Sequence, residues 1–410
     1  MKGICSFDRS DFPPELRLIL ACLRLTPDEQ EAQRIEKLSQ TKLAWPDFLW
    51  WVDHHRVAPL VYINLSRHAA KTVPSSILSE LRFRFEKNAQ RALANTVELV
   101  RLYKIFQENG IPVLPFKGSV LALQVYGDLA LRHAGDIDLL VDPLHLGQVD
   151  LLLQEDYCRM EPGFNLTPYQ QNHFFRHKNC FSYCHRHKNI KIELHYQLLG
   201  CHFPLTMDFR WIHNRPQYVL VGGLQLPTLS PEDIILYLCA HGAVHIWYRL
   251  FWLVDLSEII RQEQETDWEK LIVMAREFAI VRPLVQGVLL SHVSCNSSLP
   301  DPIRACAALD RGMNHMIRLP CRYIACSEPD NLTILDLLKE KLYFLRLCVK
   351  FRDKINLLHF IALGDPWTDI PLPDTLSPLY YILRPFLFLY RRLRGSQDKV
   401  GRHEKVRDDD

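Results

Sequence analysis

Little in this sequence leans to one side. Lys and Arg total 49 against 47 Asp and Glu, a formal net charge of +2. No global field therefore argues for a nucleic-acid or membrane-surface partner. Nor is there a basic stripe interleaved with aromatics. Internal repeats and low-complexity linkers are absent, and no uninterrupted apolar run reaches the roughly 20 residues needed to span a bilayer. Arg17, Arg24 and the Pro13-Pro14 pair break up the N-terminal apolar residues, so no signal peptide is expected. Twelve cysteines are scattered with nothing else to suggest a disulfide framework, which makes a reducing, cytoplasmic location the expectation. The 410 residues suffice for two or three domains.

What is there concentrates in one stretch, Phe116 to Val141. Asp136-Ile137-Asp138 runs into Leu139-Leu140-Val141, so carboxylates alternate with apolar side chains at the period of a strand. Residues i and i+2 of a strand share a face. Asp136 and Asp138 therefore project together, and two adjacent carboxylates are best tolerated with a cation between them. Upstream, Lys117-Gly118-Ser119 follows the apolar run Ile111 to Phe116 and precedes a helical pattern, Val120 to Tyr126. A strand, a glycine turn and a helix N-terminus cradle phosphate, because free N–H groups and the positive dipole end meet there. Lys117 adds a point charge, and Arg132 a bidentate donor.

That ordered set resembles the signature of the DNA polymerase beta-like nucleotidyltransferase superfamily. The fuller string, Lys117-Gly118-Ser119 through Tyr126, Arg132 and Asp136 to Val141, is similar to the bacterial family labelled "uncharacterised nucleotidyltransferase" and to nucleotidyltransferase toxins of abortive-infection systems. Asp53 to Leu60, Ile192 to Tyr196, His241 to Leu256 and Leu379 to Pro385 resemble further elements of that family. The resemblance implies an α+β fold: a polymerase beta-like core, a mixed sheet with helices, flanked by helical regions. The division expected is a helical region over 1–110, the catalytic core over 111–215, a second helical region over 216–394 and a disordered tail over 395–410. About seventeen residues separate Gly118-Ser119 from Asp136, longer than in the polymerases, a spacing the toxin-like relatives share.

Within 1–110, Thr26-Pro27-Asp28-Glu29 reads as a helix start, and a long helix is expected from about Pro74 to Asn109. Trp50, Trp51 and His55 read as packing between helices. Strands are expected at Ile111 to Phe116 and Asp136 to Val141, then a hairpin from Asn179 to His185 and Ile190 to Tyr196. Glu193 lies on the polar face of that last strand. Its selection as a third carboxylate comes from the resemblance together with strand phase. His173, His177, Cys180 and Cys184 have spacings allowed for structural zinc, against the plainer reading of Cys180 and Cys184 as period-two packing. Residues 216–300 read as helical, with a start at Ser230-Pro231-Glu232-Asp233. His241 and His245 share a helix face and are read as packing that helix against the cleft, with Arg249 or Lys270 as candidates to reach substrate. Leu376 to Tyr390 reads as a final docked helix or a membrane-surface helix.

The resemblance implies transfer of an NMP from an NTP to an acceptor hydroxyl, releasing pyrophosphate. Asp136, Asp138 and Glu193 are the expected catalytic and metal-holding residues for two Mg²⁺ ions, with Mn²⁺ as substitute. Lys117, Gly118, Ser119 and Arg132 are expected on the nucleotide. The acceptor stays open among a small molecule, a peptide or protein, and a tRNA end. The alternatives are an inactive nucleotide-binding sensor or scaffold, and a zinc-stabilised interaction module.

Overall fold

The structure, a computed structural model, describes residues 12–160, 167, 170, 175, 178–200, 207–262, 266–326, 333–363, 372–376, 378–380, 382–383 and 386–387. His173, His177, the tail 395–410 and much of the apolar C-terminal stretch lie outside them. The architecture is mixed α+β, as expected. Four helices, Pro14–Ala21, Glu29–Ser39, Trp45–His55 and Ala58–His68, lead into one of 34 residues, Ser75–Glu108. The first clear departure is local: the second helix begins at Glu29, with Asp28 as its cap rather than Thr26. Asp28 and Glu31 close a capping box, Asp28 accepting from the Glu31 N–H at 2.9 Å and Glu31 from the Asp28 N–H at 3.3 Å.

A five-stranded sheet follows, built from β1 (Val113–Pro115), β2 (Ile137–Val141), β3 (Tyr157–Arg159), β4 (Cys180–His185) and β5 (Lys191–His195), in the order β1-β2-β5-β4-β3. β2 and β5 are parallel; the other pairs are antiparallel. The parallel pair requires a crossover, and the helix Leu146–Leu153 with β3 and β4 supplies it. The β4–β5 hairpin matches the sequence reading, whereas β3 was not anticipated.

β2 is buried along its whole length. Ile137, Leu139 and Val141 join Leu99, Leu102 and Phe106 of the long helix, Ile192 and Leu194 of β5, and Tyr157 in one core. Leu140 faces the other way, with Leu114 and Phe116, into a larger core of helices. That larger core mixes residues from both ends of the chain, for example Leu16, Trp51 and Leu60 with Tyr237, Trp247 and Leu284. Asp138 shares the Leu140 face, so the acidic face of the sheet turns toward the helices.

The stretch 216–300 is not all helical. β6 (Gln217–Val221) and β7 (Leu224–Thr228) form a two-stranded hairpin. Gly222 and Gly223, at φ 56° and 84°, make the turn, and a Gly-Gly pair between short apolar runs is its sequence signal. Helices then resume at Pro231–Val244, Leu250–Gln262, Trp268–Glu277 and Val281–Cys295. The first is capped as expected: the Ser230 hydroxyl accepts from the Asp233 N–H at 3.2 Å. Among the described residues no helix is long and apolar enough to cross a membrane.

Between Pro231–Val244 and Leu250–Gln262 the chain turns through Ile246 and Trp247, at φ 52° and 54°. This left-handed pair is costly for side chains of their size and is offset by burial of Trp247, which is fully inaccessible. Its indole donates to Gln286 Oε1 at 3.2 Å. The ring fills the space where a Gly242 side chain would stand, and a Cβ on Gly287 would lie 3.0 Å from it. Gly242→Ala should therefore destabilise the protein by about 1–3 kcal/mol, the usual cost of overpacking. Urea denaturation measures this, and an unchanged midpoint would show that Trp247 has room to move.

Candidate active site

β2 and β5 pair so that Asp138 stands opposite Glu193. Asp136 directly precedes β2 and is half-buried. All three carboxylates line a cleft of about 500 Å³ between the sheet and the helices Pro231–Val244 and Leu250–Gln262. Lys117, Gly118, Arg132, His195, Tyr237, His241 and His245 line it too. Of the residues singled out in the sequence for catalysis or nucleotide, only Ser119 is not among the lining residues. It is 8% exposed, with its hydroxyl 2.7 Å from Thr96 Oγ1 on the long helix. Gly118 has φ +53°, and a Cβ there would sit 3.3 Å from the Asp136 carbonyl oxygen. Glycine thus lets the helix start lie against the backbone that presents the acids.

The two cations expected on the nucleotide each hold a carboxylate. Lys117 Nζ donates to Asp138 Oδ1 at 2.8 Å. Arg132 donates through Nε and Nη2 to both oxygens of Asp255 at 2.9–3.0 Å, and Tyr126 Oη donates to Asp255 Oδ1 at 2.8 Å. Arg132 and Asp255 are 8% and 1% exposed in their side chains. Removing one partner of such a buried pair costs about 3–5 kcal/mol, because the other charge is left uncompensated. The sequence offered Asp255 only as part of a helical element.

The loop carrying Arg132 to Asp136 is clamped by the long helix. Asn88 donates to the carbonyls of Ala130 (3.0 Å) and Arg132 (2.9 Å) and accepts from the Ala134 N–H at 2.8 Å. Asn95 donates to the Gly135 carbonyl at 2.8 Å. Sequence reasoning missed both. The available signal was two asparagines seven apart on an otherwise amphipathic helix, hence on one face. At the sheet, His195 Nε2 lies 3.2 Å from Asp138 Oδ1 and 3.2 Å from Glu193 Oε2, and its Nδ1 is 3.2 Å from Asn179 Nδ2. His195 thus bridges the two acids on β2 and β5.

The acids are tuned in opposite directions. Burial raises the Asp136 carboxyl, and the charges of Glu193 and Asp138 raise it further. Burial would also raise Asp138, but the Lys117 ammonium and the His195 bond outweigh it and hold Asp138 below the usual carboxylate range. Lys117 is held above its usual value: burial opposes this, and the Asp138 charge prevails. His241 is pushed well below its ordinary value by burial and then by Lys117, and His245 falls to about 4 for the same two causes. Both are neutral near pH 7. They wall the cleft, His241 beside Tyr237 Oη at 3.2 Å and His245 stacked on Trp252 at 5.0 Å. Lys270 does not line the cleft; it is exposed and paired with Glu232 at 3.3 Å. Arg249 is not among the lining residues either, and its Nε is buried without a hydrogen-bond partner.

Three carboxylates lining one cleft are of the chemistry a hard divalent cation takes. The repulsion that raises Asp136 is what such an ion would relieve. A softer set overlaps it: ligand atoms of Cys180, Glu193 and His195 lie within 4.8 Å of one another. Cys180 and Cys184 do not form the zinc pair the spacing allowed. Both lie on β4, and four residues of strand separate them by roughly 13 Å, too far for one ion with bonds of about 2.3 Å.

A family model described as "Uncharacterised nucleotidyltransferase" matches residues 41–295, more than half of the chain. No curated protein matches. One solved structure that matches is the crystal structure of an antigenic nucleotidyltransferase-like protein from Paracoccidioides brasiliensis, at 15% identity and a TM-score of 0.30. The match covers 52% of this chain and 95% of that one.

Lys117→Met removes the charge that depresses Asp138. The depressed carboxyl contributes stability that is present above its unfolded value and lost as pH falls through its folded one. The variant should therefore be less stable than the wild type above about pH 5, with the difference shrinking as pH falls from about 5 to about 2. Its Asp138 carboxyl should titrate higher by carbon NMR. Coincident acid limbs would separate Lys117 from the ionisation of Asp138.

Proposed function

For a chain that belongs to the uncharacterised nucleotidyltransferase family, we propose that this cleft transfers an NMP from an NTP to an acceptor hydroxyl, releasing pyrophosphate. The observation that carries the reading is the pairing of Asp138 with Glu193 across parallel strands, with Asp136 beside them, in a cleft closed on one side by a helix N-terminus. Asp136, Asp138 and Glu193 would hold two Mg²⁺ ions, which would neutralise phosphate charge and polarise the reacting oxygens. Gly118 presents the N-terminal turn of its helix to the phosphates. Glu193, with its side chain 34% exposed, would help take the acceptor's proton. His195 positions Asp138 and Glu193 through its two contacts. Lys117 keeps Asp138 ionised and adds a cation beside the cleft.

Atoms balance as in any such transfer. The acceptor oxygen bonds to the α-phosphorus, the bond to the bridging oxygen breaks, the hydroxyl proton passes to a carboxylate and pyrophosphate leaves. Positioning and charge stabilisation supply most of the rate.

The test is incubation with Mg²⁺ and each α-³²P-labelled NTP, with cell lysate as acceptor. Asp138→Asn should cut label transfer roughly a thousandfold while circular dichroism is unchanged. Equal transfer by that variant would end the reading. Failure of the wild type to transfer any label while still binding nucleotide would favour the sensor alternative. A second expectation concerns metal. The ionised Asp136 is destabilised by its surroundings, so Asp136→Asn should be as stable as the wild type or more so without Mg²⁺. Saturating Mg²⁺ should stabilise the wild type against unfolding, by about 2.7 kcal/mol at a hundredfold excess over Kd, and so raise its melting temperature, while stabilising the variant far less. Equal gains would remove Asp136 from the metal site.

A further inference from the structure

A second cavity, of about 370 Å³, adjoins the cleft and shares Arg56 and His133 with it. The long helix lines its other side with Arg84, Lys87, Asn88 and Arg91. Its acids, Asp53 and Glu80, are both bonded to Arg84, which leaves the remaining cations uncompensated. Arg56 and Arg91 form no ion pair with any described residue, and the buried Nε of Arg91 has no hydrogen-bond partner. Arg56 closes the helix Trp45–His55 in a left-handed conformation, φ 58°, and its guanidinium lies 5.7 Å from the Phe251 ring. Arg132 lies on the same ring at 5.8 Å.

These guanidiniums repel one another. Burial lowers Arg56; the charges of Tyr248 and Asp136 offset part of this, and those of Arg91 and Arg132 lower it further. Only Arg132 has a carboxylate of its own, Asp255. His133 is driven down to about 3 by burial and then by Arg56, Arg132 and Arg91, so it is neutral near pH 7. Two unpaired guanidiniums, close enough to Asp136 to feel its charge, form a ready receptor for an anion with several oxygens. Meanwhile Lys117 and Arg132, the cations expected for the nucleotide, are committed to Asp138 and Asp255.

We propose that Arg56, where the two cavities meet, and Arg91, in the second cavity, bind a phosphate group of the substrate. This rests on the transfer reading for the site's overall purpose, though phosphate binding itself needs no turnover. The phosphate comes either from the nucleotide's triphosphate or from an acceptor that carries one. In both cases the cluster supplies charge neutralisation that the signature residues spend internally.

The probe is inorganic tripolyphosphate, titrated calorimetrically into the full chain. Arg56→Ala and Arg91→Ala should each weaken it by roughly 10- to 100-fold. Arg91→Lys, which keeps charge but loses the fork, should fall between. Relief of repulsion should leave the melting temperature of Arg91→Ala at or above that of the wild type, whereas a merely structural arginine would lower it. The α,β-methylene analogue of each NTP distinguishes the sources. Weaker analogue binding with unchanged nucleoside binding assigns the phosphate to the triphosphate. Unchanged analogue binding, with loss of the inorganic phosphate that binds beside saturating analogue, assigns it to the acceptor. Wild-type affinity for both tripolyphosphate and phosphate in folded Arg56→Ala and Arg91→Ala would overturn the proposal, even if labelled transfer is observed. Absence of transfer with these binding losses intact would instead sink only the catalytic reading.

Discussion

Two carboxylates, Asp138 and Glu193, stand side by side because β2 and β5 run parallel in a register that pairs them. Holding like charges in a partly buried cleft is unfavourable, and much of the surrounding structure answers that constraint. Lys117 reaches one Asp138 oxygen from the turn after β1. His195, on β5 itself, bridges both acids. Among the described residues Asp136 has no such neighbour within bonding distance, and burial with the charges of Glu193 and Asp138 raises its carboxyl. The site thus favours positive charge, which metal ions would supply under the proposed transfer.

Precision at the acids depends on a loop with no regular structure, residues 132–136. The long helix holds it through Asn88 and Asn95, which bond its backbone at several points. From the other side, Asp255 anchors Arg132 in a buried fork. Backbone groups in a loop must find partners when they leave water. Here the backbone's partners come from the helix Ser75–Glu108, while the helix Leu250–Gln262 holds the Arg132 side chain. The same economy appears at Trp247, whose ring fills the notch at Gly242 and braces the helix that carries His241 and ends just before His245. Charge, hydrogen bonding and packing therefore converge on one small region from distant parts of the chain.

The sequence by itself determined the local elements and the acids. Alternation specified β2 and the β4–β5 hairpin, since side chains switch faces at every residue. The long helix was legible from its period, as was the helix start at Ser230. Asp136, Asp138, Lys117 and Gly118 could be named because their chemistry is local: a carboxylate pair on one strand, and a glycine turn before a helix. Glu193 needed the family resemblance as well, for strand phase alone does not say which strands pair. The short β3 and the β6–β7 hairpin escaped, being only three to five residues each and framed by helical patterns.

Only the tertiary structure decided the partners. It gave Arg132 to Asp255, 123 residues away, turned the Ser119 hydroxyl toward Thr96, and brought Arg56 and Arg91 into one cavity that adjoins the cleft. It also separated Cys180 from Cys184 along a strand, where spacing alone allowed them one ion. The physical reason is range. Periodicity and capping act over a few residues, so they can be read along the chain. Ion pairs and buried hydrogen bonds join whichever groups the folded backbone brings within about 3 Å, and that choice is made by packing.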